Sequence, residues 1–137
     1  MARVFLDTNV LLYADDLDAG PKRETARAIL RAAYRERNGV LSTQVLSEYF
    51  VNATRKLGIA AEAVRARIEV LLSLDVARIE PATILDAVDL HRLHAFSLWD
   101  CLVLECAAAA GCSVVDTEDL THGQVVRGVE VVDPFRT

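Results

Sequence analysis

The sequence predicts an α/β fold, a parallel sheet with helices on both faces, on three observations. Short apolar runs bounded by Gly, Asp, Asn or Pro recur along the chain, and longer segments with helical spacing stand between them. The length, 137 residues with 53% hydrophobic content, suits one core and therefore one domain over residues 1–137.

Each element has its own warrant, in chain order. The first run, residues 4–6, ends directly at Asp7, and further runs stand at 40–41, 113–115 and 129–132. Near-continuous apolar runs of this length read as strands buried on both faces. A helix begins at Pro21, well placed as a first helical residue after Gly20, with Ala26, Ile29, Leu30, Ala33 and Tyr34 in one stripe. Its other side carries Arg23, Arg27, Arg31 and Arg35. With Glu24 and Glu36 nearby, that side reads as a solvated face rather than a phosphate-binding one. A second helix over residues 43–57 would bury Val45, Leu46, Tyr49, Phe50 and Ala53. A third uses Val64, Ile68, Leu71 and Leu72, and a fourth, from about Ala82, uses Ile84, Leu85, Val88 and Leu93. The last covers residues 98–110 and stops at Gly111, a good helix terminator. No linker, repeat or low-complexity segment interrupts the series.

Composition excludes several classes. The run from Val4 is broken at Asp7, Asp15 and Asp16, which is unlike an export signal. The stretch 101–110 carries Glu105 and is too short to span a bilayer, so a soluble protein of the cytoplasm is expected. Cys101, Cys106 and Cys112 are odd in number and read as small core residues in a reducing compartment. A net charge of −5 argues against holding nucleic acid by bulk electrostatics, although bound cations can reverse the sign locally. No phosphate-cradling glycine loop and no G-x-S-x-G elbow occurs. "DDLDAG", residues 15–20, starts like a calcium loop, but Arg27 stands where the closing Glu belongs. His91 and His94 lack a third zinc ligand nearby and read as an exposed helix face.

The acids carry the chemistry. In an open parallel sheet, ligands bind beyond the carboxyl ends of the strands. Asp7 follows the first strand, Asp116 and Asp119 follow the third, and Asp100 opens a helix that is apolar nearly all round. Glu48 falls about 140° from the centre of its helix's apolar stripe, which suits solvent or the wall of a cleft. Singly, each has an ordinary reading: turn residue for Asp7, capping partner of Ser97 for Asp100, solvated side chain for Glu48, loop acid for Asp119. Gathered on one site, carboxylates repel by on the order of 4 kcal/mol per close pair at an effective dielectric of 20. A cation must then sit among them, and oxygen ligands without a His or Cys cluster favour Mg²⁺ or Mn²⁺ over zinc. A hard ion held by carboxylates at a sheet edge suits phosphodiester hydrolysis.

Four blocks, "FLDTNVLLY", "STQVLSEYF", "SLWDCLVLECA" and "VVDTEDLTHG", in this order and at these separations, resemble the PIN-domain ribonucleases, and in particular the VapC-type toxins of toxin–antitoxin pairs. The resemblance covers essentially the whole chain. It implies a three-layer sandwich with a central parallel sheet. It matches Asp7, Glu48, Asp100 and Asp119 to the family's four acids, with Asp116 as a neighbouring candidate for the fourth. Asn9, Thr8 and Thr117 match the residues that order the site. It further implies Mg²⁺ or Mn²⁺ held by Asp7, Asp100 and Asp119, cleavage of RNA, a homodimer, and an antitoxin protein that blocks the site. In this scheme Glu48 orients or deprotonates the attacking water. Two alternatives remain open: a Mg²⁺-dependent phosphatase, whose D-x-D would need an acid at Asn9, and a non-catalytic partner-binding module.

Overall fold

The structure is a computed structural model that describes residues 2–137. Its elements are β1 (Arg3–Leu6), α1 (Thr8–Asp15), α2 (Pro21–Glu36), β2 (Gly39–Ser42), α3 (Thr43–Arg55), α4 (Ala61–Leu71), β3 (Asp75–Ala77), α5 (Pro81–Leu93), α6 (Leu98–Ala109), β4 (Cys112–Asp116), β5 (Val125–Val126) and β6 (Val129–Val132). The strands form one sheet in the order β3-β2-β1-β4-β6-β5. All pairs are parallel except the β5–β6 hairpin, which turns at Arg127 and Gly128, both at positive φ. Strand order reverses between β1 and β4, and a crevice forms at such a switch point beyond the strand ends. α1 to α4 pack on one another, α5 packs on α6, and the sheet lies between these two groups.

The core runs through Phe5 and Leu6 of β1, Val40 and Leu41 of β2, and Val115 and Val131 on the other side of β1. Val45, Tyr49 and Ala53 of α3 and nearly every residue of α6 from Cys101 to Ala107 close over it. Burying each such Val, Leu or Phe side chain stabilises by roughly 1.5–3 kcal/mol. Within this core Gly39 is a close approach: a Cβ there would lie 2.8 Å from the Ala33 Cβ of α2. All three cysteines are buried and free, in line with small core residues. The acid in the middle of α6, Glu105, is 5% exposed and is neutralised by Arg127 at 3.1 Å.

Several sequence expectations need correction. α1 starts immediately after β1, with Asp7 as its N-cap, where the sequence reading had no helix. β3 and β5 were not anticipated, because three and two residues are too few to show a period. Burial on both faces holds for β2 but not for β4 and β6, which expose Ser113 and Glu130 near the hairpin edge. Phe50 and Leu72 are exposed rather than buried. The largest departure is α5, where Ile84, Leu85, Val88 and Leu93 are exposed and the helix instead packs through Ala87 and Leu90. An apolar stripe can be read from spacing, but which of two adjacent stripes finds a partner depends on the neighbouring helix.

Candidate active site

The site is assembled from the ends of β1 and β4 and the first turns of α1, α3 and α6. Asp7 is held at the edge of the sheet by its own backbone, whose N–H donates to the Asp116 carbonyl across the β1–β4 pair at 3.1 Å. Its carboxylate accepts from the N–H of Thr8, the first residue of α1, at 2.7 Å. The other oxygen accepts from the Thr117 hydroxyl at 2.8 Å.

Thr117 is fully buried and joins three partners. While donating to Asp7, its hydroxyl oxygen accepts from the Asp119 N–H at 3.1 Å and the Asn9 side-chain amide at 3.2 Å. The same Asn9 amide donates to the Asp119 carboxylate at 3.2 Å, so Asn9 bridges the loop after β4 to α1. Glu48, one turn into α3, accepts from the Thr8 hydroxyl at 3.0 Å and from the Gln44 side-chain amide at 2.7 Å. Gln44 also donates to the Trp99 carbonyl at 3.3 Å, tying the start of α3 to the start of α6. At that start Ser97 caps the helix by accepting from the Asp100 N–H at 3.1 Å, as the spacing predicts.

Asp7, Glu48, Asp100 and Asp119 line one cavity of about 750 Å³, together with Gln44 and Trp99. Their mutual influence shows in their proton affinities. Burial raises the Asp7 pKa to about 6, opposed by the bonds from Thr117 and Thr8 and reinforced by the charges of Asp119 and Glu48. Asp100 is likewise raised, first by burial and then by Asp119 and Glu48, with Ser97 opposing. Asp119 is raised by burial and by Glu118, Glu48 and Asp133, with Asn9 opposing. Asp116 is different. It sits on the rung between Leu6 and Val132, does not line the cavity, and is raised to about 6 by burial alone. Of the two candidates for the fourth acid, the structure therefore brings Asp119, not Asp116, to the other three.

All seven residues singled out in the sequence converge: the four acids, with Thr8, Asn9 and Thr117 hydrogen-bonded among them. Sequence reasoning missed Gln44, whose signal was its position one helical turn before Glu48. It also missed Trp99 at the cavity wall. The remaining candidates lie elsewhere. His91 bonds the Phe96 carbonyl, and His94 stacks on the Phe96 ring. Asp15 pairs with Arg67 and bonds Tyr49, while Arg23 pairs with Glu24 and Arg35 with Glu36.

Among the described residues no group of three or more His, Cys, Asp or Glu side chains stands as a ready-made metal cage. The donor set nevertheless fits a hard cation: it is all oxygen, it carries mutually destabilised negative charge, and buried acceptors at Asn9 Oδ1 and Gln44 Oε1 stand without a protein donor. No helix among the described residues is long and apolar enough to cross a membrane.

Comparison with known proteins matches this arrangement to an existing group. No curated protein sequence matches the chain significantly. Among solved structures, a toxin–antitoxin complex from Klebsiella pneumoniae is similar at a TM-score of 0.72 and 21% identity, covering 98% of this chain and 99% of that one. The DNA-bound VapBC of Salmonella typhimurium gives 0.70 and 21%, with the same coverage. VapC20 of Mycobacterium tuberculosis, described as a Sarcin-Ricin loop cleaving toxin, gives 0.69 and 18%, over 85% of this chain and 91% of that chain. At these identities the likeness is one of fold. A family model for the PIN domain matches residues 4–127, which include all four acids of the cavity and the parallel strands from Val4 of β1 through β4. The chain belongs to the PIN-domain family.

Proposed function

We propose that this protein is a metal-dependent endoribonuclease of the VapC type, the toxin of a toxin–antitoxin pair. The observation that carries the reading is the gathering of Asp7, Glu48, Asp100 and Asp119, from four separate chain segments, around one cavity at the topological switch point. Burial and the charge of Glu48 raise the pKa of Asp7, Asp100 and Asp119, which costs stability unless a ligand rewards it, and perturbed groups of this kind concentrate at functional sites. The similar structures named above, one of an RNA-cleaving toxin and two of toxin–antitoxin assemblies, support the same reading for this chain.

In this mechanism Asp7, Asp100 and Asp119 would hold Mg²⁺ or Mn²⁺, which would supply charge neutralisation at the phosphodiester and lower the pKa of the attacking water. Glu48 takes the proton of the attacking water, held in position by Thr8 and Gln44. Thr117 and Asn9 keep Asp7 and Asp119 charged and aimed, so that the ligand oxygens need little reorganisation. Asn9 donates to Asp119, which disfavours the phosphatase alternative that needs an acid at that position. The exposed apolar face of α5, with Ile84, Leu85 and Val88, supports a homodimer, and three buried free cysteines support residence in the reducing cytoplasm. The antitoxin is a protein partner that covers the acid cavity, and residues 1–137 act as one domain.

The test is cleavage of end-labelled total RNA by purified protein in Mg²⁺ or Mn²⁺, beside reactions with chelator and with Asp100→Asn. Discrete products that vanish in both controls are expected, with losses of at least about 10²-fold. Identical products from wild type and Asp100→Asn would overturn the assignment.

A further inference from the structure

Two cavities meet at the acids, and their walls differ in chemistry. The first, of about 750 Å³, holds all four carboxylates; its other lining residues include no Lys or Arg, and its apolar wall is formed by Ile79, Ile84 and Trp99. The second, of about 850 Å³, shares Glu48 and Asp119 with the first and is of mixed charge, with Arg23, Arg27, Lys56 and Arg67 standing among Asp15, Asp16, Asp18 and Glu118. A polynucleotide crossing the acids would therefore find cations for its phosphates on one side only. On the other side the free surface is acidic and aromatic, and what it can accept is an uncharged, flat group.

Trp99 is the feature that gives this side its selectivity. It is the only tryptophan in the chain and 62% of its surface is exposed, although indole rings are usually well covered. Its backbone is not free to move: it lies in the first turn of α6, next to Asp100, with its carbonyl bonded by Gln44. An exposed ring on a fixed backbone, one residue from a proposed metal ligand, makes a stacking platform set at a constant distance from the cut. Unpaired RNA bases are recognised by stacking on such rings.

We propose that Trp99 is a specificity-determining residue that stacks one unpaired base immediately beside the scissile phosphate, while the strand on the other side passes the basic side chains, Arg27 and Lys56 among them, of the mixed-charge cavity. The substrate is then a single-stranded or looped RNA rather than a continuous duplex, whose bases are stacked on one another. The proposal rests on the reading of the site as a ribonuclease, and the experiment separates the two.

The probe is a short single-stranded oligoribonucleotide spanning the mapped cut, dye-labelled at one end, titrated into the intact protein with Ca²⁺ in place of Mg²⁺. Dye anisotropy reports RNA binding, and emission excited at the red edge of indole absorption, where the three tyrosines do not absorb, reports Trp99 because no other tryptophan is present. Binding is expected to change Trp99 emission in step with anisotropy. Trp99→Ala should raise KM about five- to 150-fold, the loss falling on KM rather than kcat, and Trp99→Phe should recover most of it. If RNA binds and is cut while Trp99 emission and the KM of Trp99→Ala stay at their starting values, the platform is wrong and the nuclease stands. If sedimentation shows that Trp99→Ala dissociates an oligomer and RNA leaves Trp99 emission unmoved, the ring is covered by a second copy and the proposal falls. Absence of both RNA binding and cleavage would remove the ribonuclease reading and this inference with it.

Discussion

Thr117 carries no charge, yet the site depends on it more than on any other uncharged side chain. Fully buried, it donates to Asp7 and accepts from Asn9 and from the Asp119 backbone. Thr117→Val keeps the shape and removes all three bonds, leaving the buried Asp7 carboxylate with the Thr8 N–H as its remaining donor. The expected cost is about 1–3 kcal/mol in urea denaturation at neutral pH, with a loss of cleavage; an unchanged midpoint would show that the network contributes nothing. Asp116 tests the opposite case, an acid half-buried beside the site but not lining its cavity. Its folded pKa of about 6 exceeds the ordinary 3.8, so between those values the folded state binds more protons than the unfolded one. Stability therefore falls as pH rises through this window, and the whole penalty, about 3 kcal/mol at most, stands above it. Asp116→Asn should raise Tm at pH 7, lose that advantage below about pH 4, and leave cleavage in place. A fall in Tm at neutral pH, or loss of cleavage, would contradict both the sign and the choice of Asp119.

At the scale of elements, α1, α3 and α6 all begin with their caps inside or beside the site: Asp7, Ser42 and Ser97. The same short side chains that end strands and open helices also set the direction in which Thr8, Glu48 and Asp100 leave the backbone. For Glu48 the periodicity was informative enough to rule out the main core, and the side chain does stand at the wall shared by two cavities. For α5 it was not. Two neighbouring stripes of that helix are apolar, and the smaller one, with Ala87 and Leu90, packs on α6, leaving Ile84, Leu85 and Val88 outward. Leu85→Glu should lower the oligomeric state in sedimentation with little change in monomer stability, because Leu85 is 66% exposed already. A variant that kept the wild-type state would overturn α5 as the proposed homodimer contact.

Over the whole molecule the acids set a balance between stability and function. Asp7, held near pKa 6 by burial and by its neighbours' charges, weakens the folded state at neutral pH in the same sense as Asp116. A cation that binds only the folded state reverses this. Mn²⁺ at about a hundred times its Kd should stabilise by about 2.7 kcal/mol, read as a rise in Tm at pH 7. The rise should shrink near pH 5, where Asp7 becomes protonated, and should be absent in Asp7→Asn. Equal rises in wild type and Asp7→Asn would place the ion elsewhere.

What the sequence determined by itself is the alternation of buried strands and amphipathic helices, the sheet edge on which Asp7 and Asp119 lie, and the residue types of the site. These follow from local rules: apolar runs, caps and helix spacing act over a few residues and are legible there. The tertiary structure decided what depends on distant partners: the order β3-β2-β1-β4-β6-β5, the choice of Asp119 over Asp116, the bond from Gln44 to Glu48, and the exposed stripe of α5. Asp7 and Thr117 are 110 positions apart in the chain, yet their side chains meet at 2.8 Å because β1 and β4 pair in parallel. No local pattern encodes that distance, since strand pairing is settled by the packing of the entire core.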